Sequence, residues 1–273
     1  MSDNYLITGY WGEPHVTAEN DRGINAAMFG TGRFVLPVGE QFRAEYIGNN
    51  KIRVYDGKLM DNGAAAGIPV GEYVDFLIAN AGQGMKRNDL IVFQYSRDAS
   101  TQIESGRFVV VQGTETTGLA SDPNLTQEDL LSGNATFDQM ALWRVSISGA
   151  TIATPIRVAE VEWANPPMEL GVEYRTTKRY NGKPVYTKLI DFGALSNYSV
   201  NVGAKNIISM KGLTTFVDGN NVYHDTFPVF NSNDLAVLAV AYHGNNSIYV
   251  KLNADYPATA NYTAQFTIEY TKD

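Results

Sequence analysis

The sequence predicts a mainly β protein of two domains, a β-rich first domain with one short helix and a second that is a β-sandwich, jelly-roll-like. Three observations carry this. Turn-forming clusters recur at close spacing, among them Gly48-Asn49-Asn50, Asn181-Gly182 and Asp218-Gly219-Asn220-Asn221, so the segments between them have strand length. The closing segment alternates: Tyr262, Ala264, Phe266, Ile268 and Tyr270 are apolar, while Thr263, Gln265, Thr267 and Glu269 are polar. That pattern puts one face in a core and the other in water. Finally, 16 Tyr, 12 Phe and 25 Gly in 273 residues, with runs of Thr and Val, make a strand-and-turn composition.

Charge divides the chain. The net charge is −8, with 12 Lys+Arg against 20 Asp+Glu in residues 1–168 and 9 against 9 in residues 169–273. The acidic excess therefore ends near Pro166-Pro167, and we place domains at 1–163 and 172–273 with 164–171 as a linker. This balance disfavours non-specific nucleic-acid binding, which needs basic surface to displace counterions from phosphates. The absence of cysteine excludes disulfides, thiolate nucleophiles and cysteine-ligated metals. No apolar window is long enough to span a bilayer, and Met1-Ser2-Asp3-Asn4 does not begin a signal peptide. The expectation is a protein made in the cytoplasm, without membrane insertion.

In the first domain, residues 5–10 read as an opening strand and 20–23 as a polar loop. Residues 34–37, 42–47 and 51–55 read as strands, Asp56-Gly57 as a turn, 61–67 as a loop of small residues, and 73–79 as strand. The apolar runs 90–95 and 107–111 read as central strands buried on both faces. The helix is expected at 126–133, with Thr126 as N-cap, acids in the first turn and Gly133 past the end. Residues 142–147 and 152–158 close the domain as a hairpin around Ser148-Gly149.

In the second domain, residues 172–180 and 185–190 flank Asn181-Gly182, a dipeptide that tolerates positive φ at both central positions of a tight hairpin. Strands follow at 206–212, 214–217 and 235–242, the last an apolar run read as central. After a hairpin loop at 243–246, residues 247–253 place Ile248, Val250 and Leu252 on one face.

Longer wordings carry more information. The segments are Ala18-Glu19-Asn20-Asp21-Arg22-Gly23-Ile24-Asn25-Ala26-Ala27, Phe34-Val35-Leu36-Pro37-Val38-Gly39-Glu40 and Gly82-Gln83-Gly84-Met85-Lys86-Arg87-Asn88-Asp89-Leu90-Ile91-Val92, with 114–122 and Leu142-Trp143-Arg144-Val145 beside them. They resemble an amino-terminal module of tail-fibre and baseplate proteins from phages and prophages of Gram-positive bacteria, over nearly all of residues 1–160. Further on, Lys183-Pro184-Val185-Tyr186-Thr187-Lys188 and Ile190-Asp191-Phe192-Gly193-Ala194-Leu195-Ser196-Asn197 resemble a segment of carboxy-terminal tail-fibre head domains. There G-K-P-[IV]-Y leads to F-G-A-L-P-N; Ser196 stands here where proline is usual. This second likeness covers residues 172–210 and fades beyond. The resemblance implies a non-enzymatic virion tail protein and a homotrimer. Its first domain would dock on tail or baseplate proteins, and its second would contact a host-surface glycan or protein receptor.

Catalytic constellations are sparse. His15, His224 and His243 make no zinc-binding spacing. His224-Asp225 is a poor base-and-acid pair, because neighbours in a strand point to opposite faces. Gly182-Lys183-Pro184 lacks the leading glycine and the Ser or Thr of a phosphate loop, and no G-x-S-x-G elbow occurs. Asp218-Gly219-Asn220 lacks the further ligands of a calcium loop. No cofactor is expected, and Lys183 and Asp191 read as structural. Glycoside hydrolysis needs only two carboxylates at a set separation, so a carbohydrate-binding protein or glycan depolymerase is the alternative function. Sugars are held by aromatic stacking and by hydrogen bonds from Asn, Asp and His. The candidate receptor-binding residues are accordingly Asn220, Asn221, Tyr223, His224, Asn245, Asn246 and Tyr256.

Overall fold

Helix α1, Ala18–Phe29, takes in residues 20–23, which read as polar loop in the sequence. Thr17 caps it, its Oγ1 accepting from Asn20 N at 3.2 Å. Glu19 and Asp21 stand in the first turn, opposite the partial positive charge of the helix start, and Gly30 at φ 88° ends it. Its buried side chain is Arg22, so no apolar stripe announces the helix. The computed structural model describes residues 17–218, 221–230, 237–244, 246–252 and 262–272; the strand read at 5–10 lies outside them. The helix expected at 126–133 is a single 3-10 turn, Leu130–Ser132, capped by Asp129 and closed by Gly133 at φ 71°. Thr126 is held by a neighbouring strand instead. Its carbonyl accepts from Gln139 N at 2.9 Å, and its own N–H donates to Gln139 Oε1 at 3.3 Å.

The chain divides into two units between Glu162 and Trp163, each with its own core. In the first, β1 (Arg33–Leu36), β2 (Ala44–Gly48), β3 (Lys51–Asp61) and β4 (Ala64–Leu77) form an antiparallel sheet. β3 pairs with β4 along one edge and with β1 and β2 along the other. Asp56-Gly57 lies inside β3 rather than in a turn, opposite a register shift whose extra residues, 69–72, belong to β4. A Cβ on Gly57 would lie 2.6 Å from Phe42 N. The chain reverses at Asn62-Gly63, with φ 46° and 84°, and the alanines read as loop begin β4.

The second sheet joins β5 (Lys86–Arg97), β6 (Glu104–Val111), β7 (Phe137–Ser148), β8 (Thr151–Ile152) and β9 (Ile156–Arg157). Its order is β6-β5-β7-β8, with β9 also on β7. β5 is buried over Leu90–Tyr95, as its apolar run predicts, but β6 is a partly exposed edge strand. Val35, Ile52 and Val54 of the first sheet meet Ile91, Phe93, Leu142 and Val145 of the second in one core.

In the second unit, β10 (Glu173–Tyr180) and β11 (Lys183–Ala194) make the predicted hairpin around Asn181 (φ 50°) and Gly182 (φ 76°). Residues 164–171, expected as a linker, are tied to this unit: Leu170 bridges to Leu189, and Gly171 N donates to Leu189 O at 2.8 Å. The remaining strands are β12 (Ser199–Asn201), β13 (Ile207–Asp218), β14 (Asn221–Thr226), β15 (Val229–Phe230), β16 (Val237–Gly244), β17 (Ser247–Leu252) and β18 (Tyr262–Thr271). Two sheets, β10-β11-β18-β13-β14 and β12-β17-β16-β15, enclose a core of Ile190, Phe192, Ile248, Val250, Ala264, Phe266 and Ile268. The closing strand buries its predicted apolar face. A jelly roll folds one long hairpin on itself, so the first strand pairs with the last and the second with the last but one. Counting from β11, two levels of that nesting hold, β11 with β18 and β12 with β17. The third is replaced by β13 with β14 and β15 with β16.

Candidate receptor-contact surface

The predicted site residues fall in two places. Asn221 opens β14 opposite Asp218, Tyr223 pairs with Phe216, and His224 pairs with Thr215. His224 is exposed, with Nδ1 3.1 Å from Thr215 Oγ1. Asn246 sits in the β16–β17 connection at φ 65°, and its carbonyl accepts from Val202 N at 2.9 Å. Asn220, Asn245 and Tyr256 lie outside the described residues, as do the side chains of Asn221 and Tyr223.

Register shows that the sequence grouping joins opposite ends of one sandwich. Asn246 is bonded to Val202, which opens the β12–β13 connection, and Asn206, which closes it, accepts from Thr271, whose strand partner Val185 lies beside the Asn181-Gly182 turn. Asn221 lies near the other end, where Phe216 pairs with Tyr262 at the start of β18. One pocket cannot gather Asn246 and Asn221. Asn residues serve turns at both ends of a sandwich, and sequence does not say which ends coincide.

A surface the sequence reading missed lies on the outer face of the β12-β17-β16-β15 sheet. Ile248 and Val250 are buried at 0% and 3%, so strand alternation turns Ser247, Tyr249 and Lys251 outward. On β16, Ala241 packs against the core, which turns Tyr242 outward. Tyr242 and Tyr249 are direct cross-strand partners whose rings stack 5.2 Å apart at 15°. Tyr242 is 52% exposed. β12 continues the face, with Ser199 opposite Tyr249 and Asn201 opposite Ser247. The result is an aromatic pair bordered by hydroxyl, amide and ammonium groups. A ring fixed by its neighbour offers a flat surface to the C–H face of a sugar at little entropic cost, and the border supplies hydrogen bonds. Tyr249 was legible between two apolar residues; Tyr242 was concealed at the end of an apolar run read as a central strand.

Elsewhere among the described residues, two groups of buried charges stand out. Arg87, 1% exposed, makes two bonds to the Asp89 carboxylate, at 2.7 and 3.1 Å, and donates to Ala79 O at 2.7 Å. Asp61 and Asp138 form a carboxyl pair, but at 0% and 1% exposure no polymer reaches it. Among the described residues, no group of three or more His, Asp or Glu could hold a metal ion. Nor, among them, is any helix long and apolar enough to cross a membrane. No model of a known protein family matches the chain, and no curated protein matches it.

Proposed function

We propose that the chain is a non-enzymatic structural protein of a phage or prophage tail. Its first unit attaches to tail or baseplate proteins, and its second contacts a host-surface glycan through the face bearing Tyr242 and Tyr249. The observation that carries the receptor half is that stacked tyrosine pair, Tyr242 exposed and Tyr249 half-buried, among Ser199, Asn201, Ser247 and Lys251 on one sheet face. The attachment half rests on the wording of residues 1–160. Mechanistically this is adhesion: each site binds weakly, and several copies on one tail, a homotrimer in the first instance, multiply the affinity by about 10²–10⁴.

The experiment is adsorption of the purified chain to host cells and to their isolated surface polysaccharide, with polymer length followed in the same samples. Removing one aromatic wall, Tyr242→Ala, forfeits on the order of 1 kcal/mol per site, so multivalent adsorption should fall at least about tenfold while the fold is kept. Unchanged adsorption would remove the proposed contact surface. Shortening of the polymer by the wild-type chain would replace adhesion with depolymerisation.

A further inference from the structure

The first unit holds a group of charges that its packing does not balance. Arg33 on β1 and Asp61 on β3 are partners in strand register, and Asp138 reaches them from β7 of the other sheet. Asp138 Oδ1 is well bonded, accepting from Arg33 Nη2 and from Glu128 N, both at 2.7 Å. The guanidinium is further fixed by Gln139 O and Glu128 O, each at 3.1 Å. Asp61 is not so served. Arg33 Nε stands 3.3 Å from its Oδ1 without forming a hydrogen bond, and both Asp61 oxygens, with Asp138 Oδ2, are buried and unpartnered. Two carboxylates and one guanidinium leave a negative charge in excess where water does not reach. Such a charge strongly destabilises the fold unless it is neutralised.

We infer that Asp61 and Asp138 bind one proton between them, carried as an Asp61 O–H donating to Asp138, and that this proton fastens the first sheet to the second. A single proton neutralises the excess and joins two of the three orphaned oxygens, one on each carboxyl, across the two sheets. A metal ion fits less well, because it would sit against the Arg33 guanidinium with only three carboxylate oxygens. Burial, the hydrogen bond to Asp138 and the Asp138 charge push the Asp61 carboxyl up to about 8, with Arg33 pulling the other way. Among the described residues, Glu128 and Tyr95 beside the pair leave the balance unchanged. Glu128 turns its carboxylate to the N–H groups of Thr136 and Phe137, at 2.6 and 3.3 Å. Tyr95, opposite Asp138 in the β5–β7 register, lies beneath Arg22, itself paired with Glu104. The consequence is a pH-operated clamp: the proton is held in the folded unit and released when the sheets part, or when the surroundings become alkaline.

Calorimetric unfolding of the full chain at about pH 6, in buffers of different ionisation enthalpy, counts the proton. The wild type should release about one more proton on unfolding than Asp61→Asn, whose amide can donate to Asp138 without one. Infrared spectroscopy needs no variant: the folded wild type should show a protonated-carboxyl band at about pH 7, where exposed carboxyls are ionised. Equal proton release in the two proteins, or no such band, overturns the inference. So does stabilisation of the wild type, but not of Asp61→Asn, by calcium at about pH 8, which would make the occupant a metal ion.

Discussion

Gly63 and Gly182 follow Asn in the same kind of two-residue reversal, yet their surroundings differ. A Cβ on Gly63 would lie 2.2 Å from Arg22 O, whereas nothing lies within 4 Å of one on Gly182. Both have positive φ, so both substitutions strain the backbone, but only the first also drives a side chain into α1. Gly182→Ala should cost about 1 kcal/mol, and Gly63→Ala about 2–3 kcal/mol, each in the urea transition of its own unit. Equal losses would mean that α1 yields freely to the added methyl group. Asn-Gly in the sequence names the turn; it does not say what stands over it.

α1 is an element held by polar bonds rather than by an apolar face. Arg22 pairs with Glu104, donates to Leu130 O at 3.4 Å and lies over the Tyr95 ring, and Asn25 Nδ2 donates to Gly63 O at 3.0 Å. Ile24 and Met28 are 37% and 66% exposed, so burial contributes little. Arg22→Ala should therefore release α1 without unfolding the unit. In hydrogen exchange, amides of residues 21–30 should lose protection by at least about tenfold while those of β5 and β7 keep theirs. Loss of protection throughout the unit would show that α1 is part of the cooperative core. The contrast with 126–133 is instructive. That stretch has caps of the right type and folds as a single 3-10 turn, because Thr126 is bonded to Gln139; α1 has the caps and room to elongate.

Across the whole molecule, the two units should answer pH with opposite signs. Asp61 has a folded-state pKa raised from 3.8 to about 8, so its contribution is full below about pH 4 and is lost as pH rises towards about 8. Glu173 in the second unit goes the other way. Burial raises its pKa, but hydrogen bonds from Lys272, at 2.5 Å, and from Tyr270 outweigh that and hold it below the usual carboxylate range. Its contribution is present above about pH 4.5 and is lost as pH falls through the folded value. Thermal scans of the full chain from about pH 4 to about pH 8.5 should show the first unit's transition moving down and the second's moving up. Asp61→Asn should flatten the first alone, and parallel movement of both would contradict the assignment.

The sequence by itself determined what local chemistry encodes. Asn181-Gly182 fixed a hairpin, the alternation from Tyr262 to Tyr270 fixed a strand with one buried face, and the turn clusters fixed the mainly β class. These depend on residues within a few positions of each other, where backbone preference and side-chain period act directly. The tertiary structure decided which distant residues meet. It put Asn221 and Asn246 at opposite ends of a sandwich and exposed Tyr242 from an apparently buried run. It also buried Arg22 in a helix without an apolar stripe and brought Asp61 and Asp138 together across two sheets. Such meetings depend on strand order and sheet packing, and no residue's immediate neighbours record those.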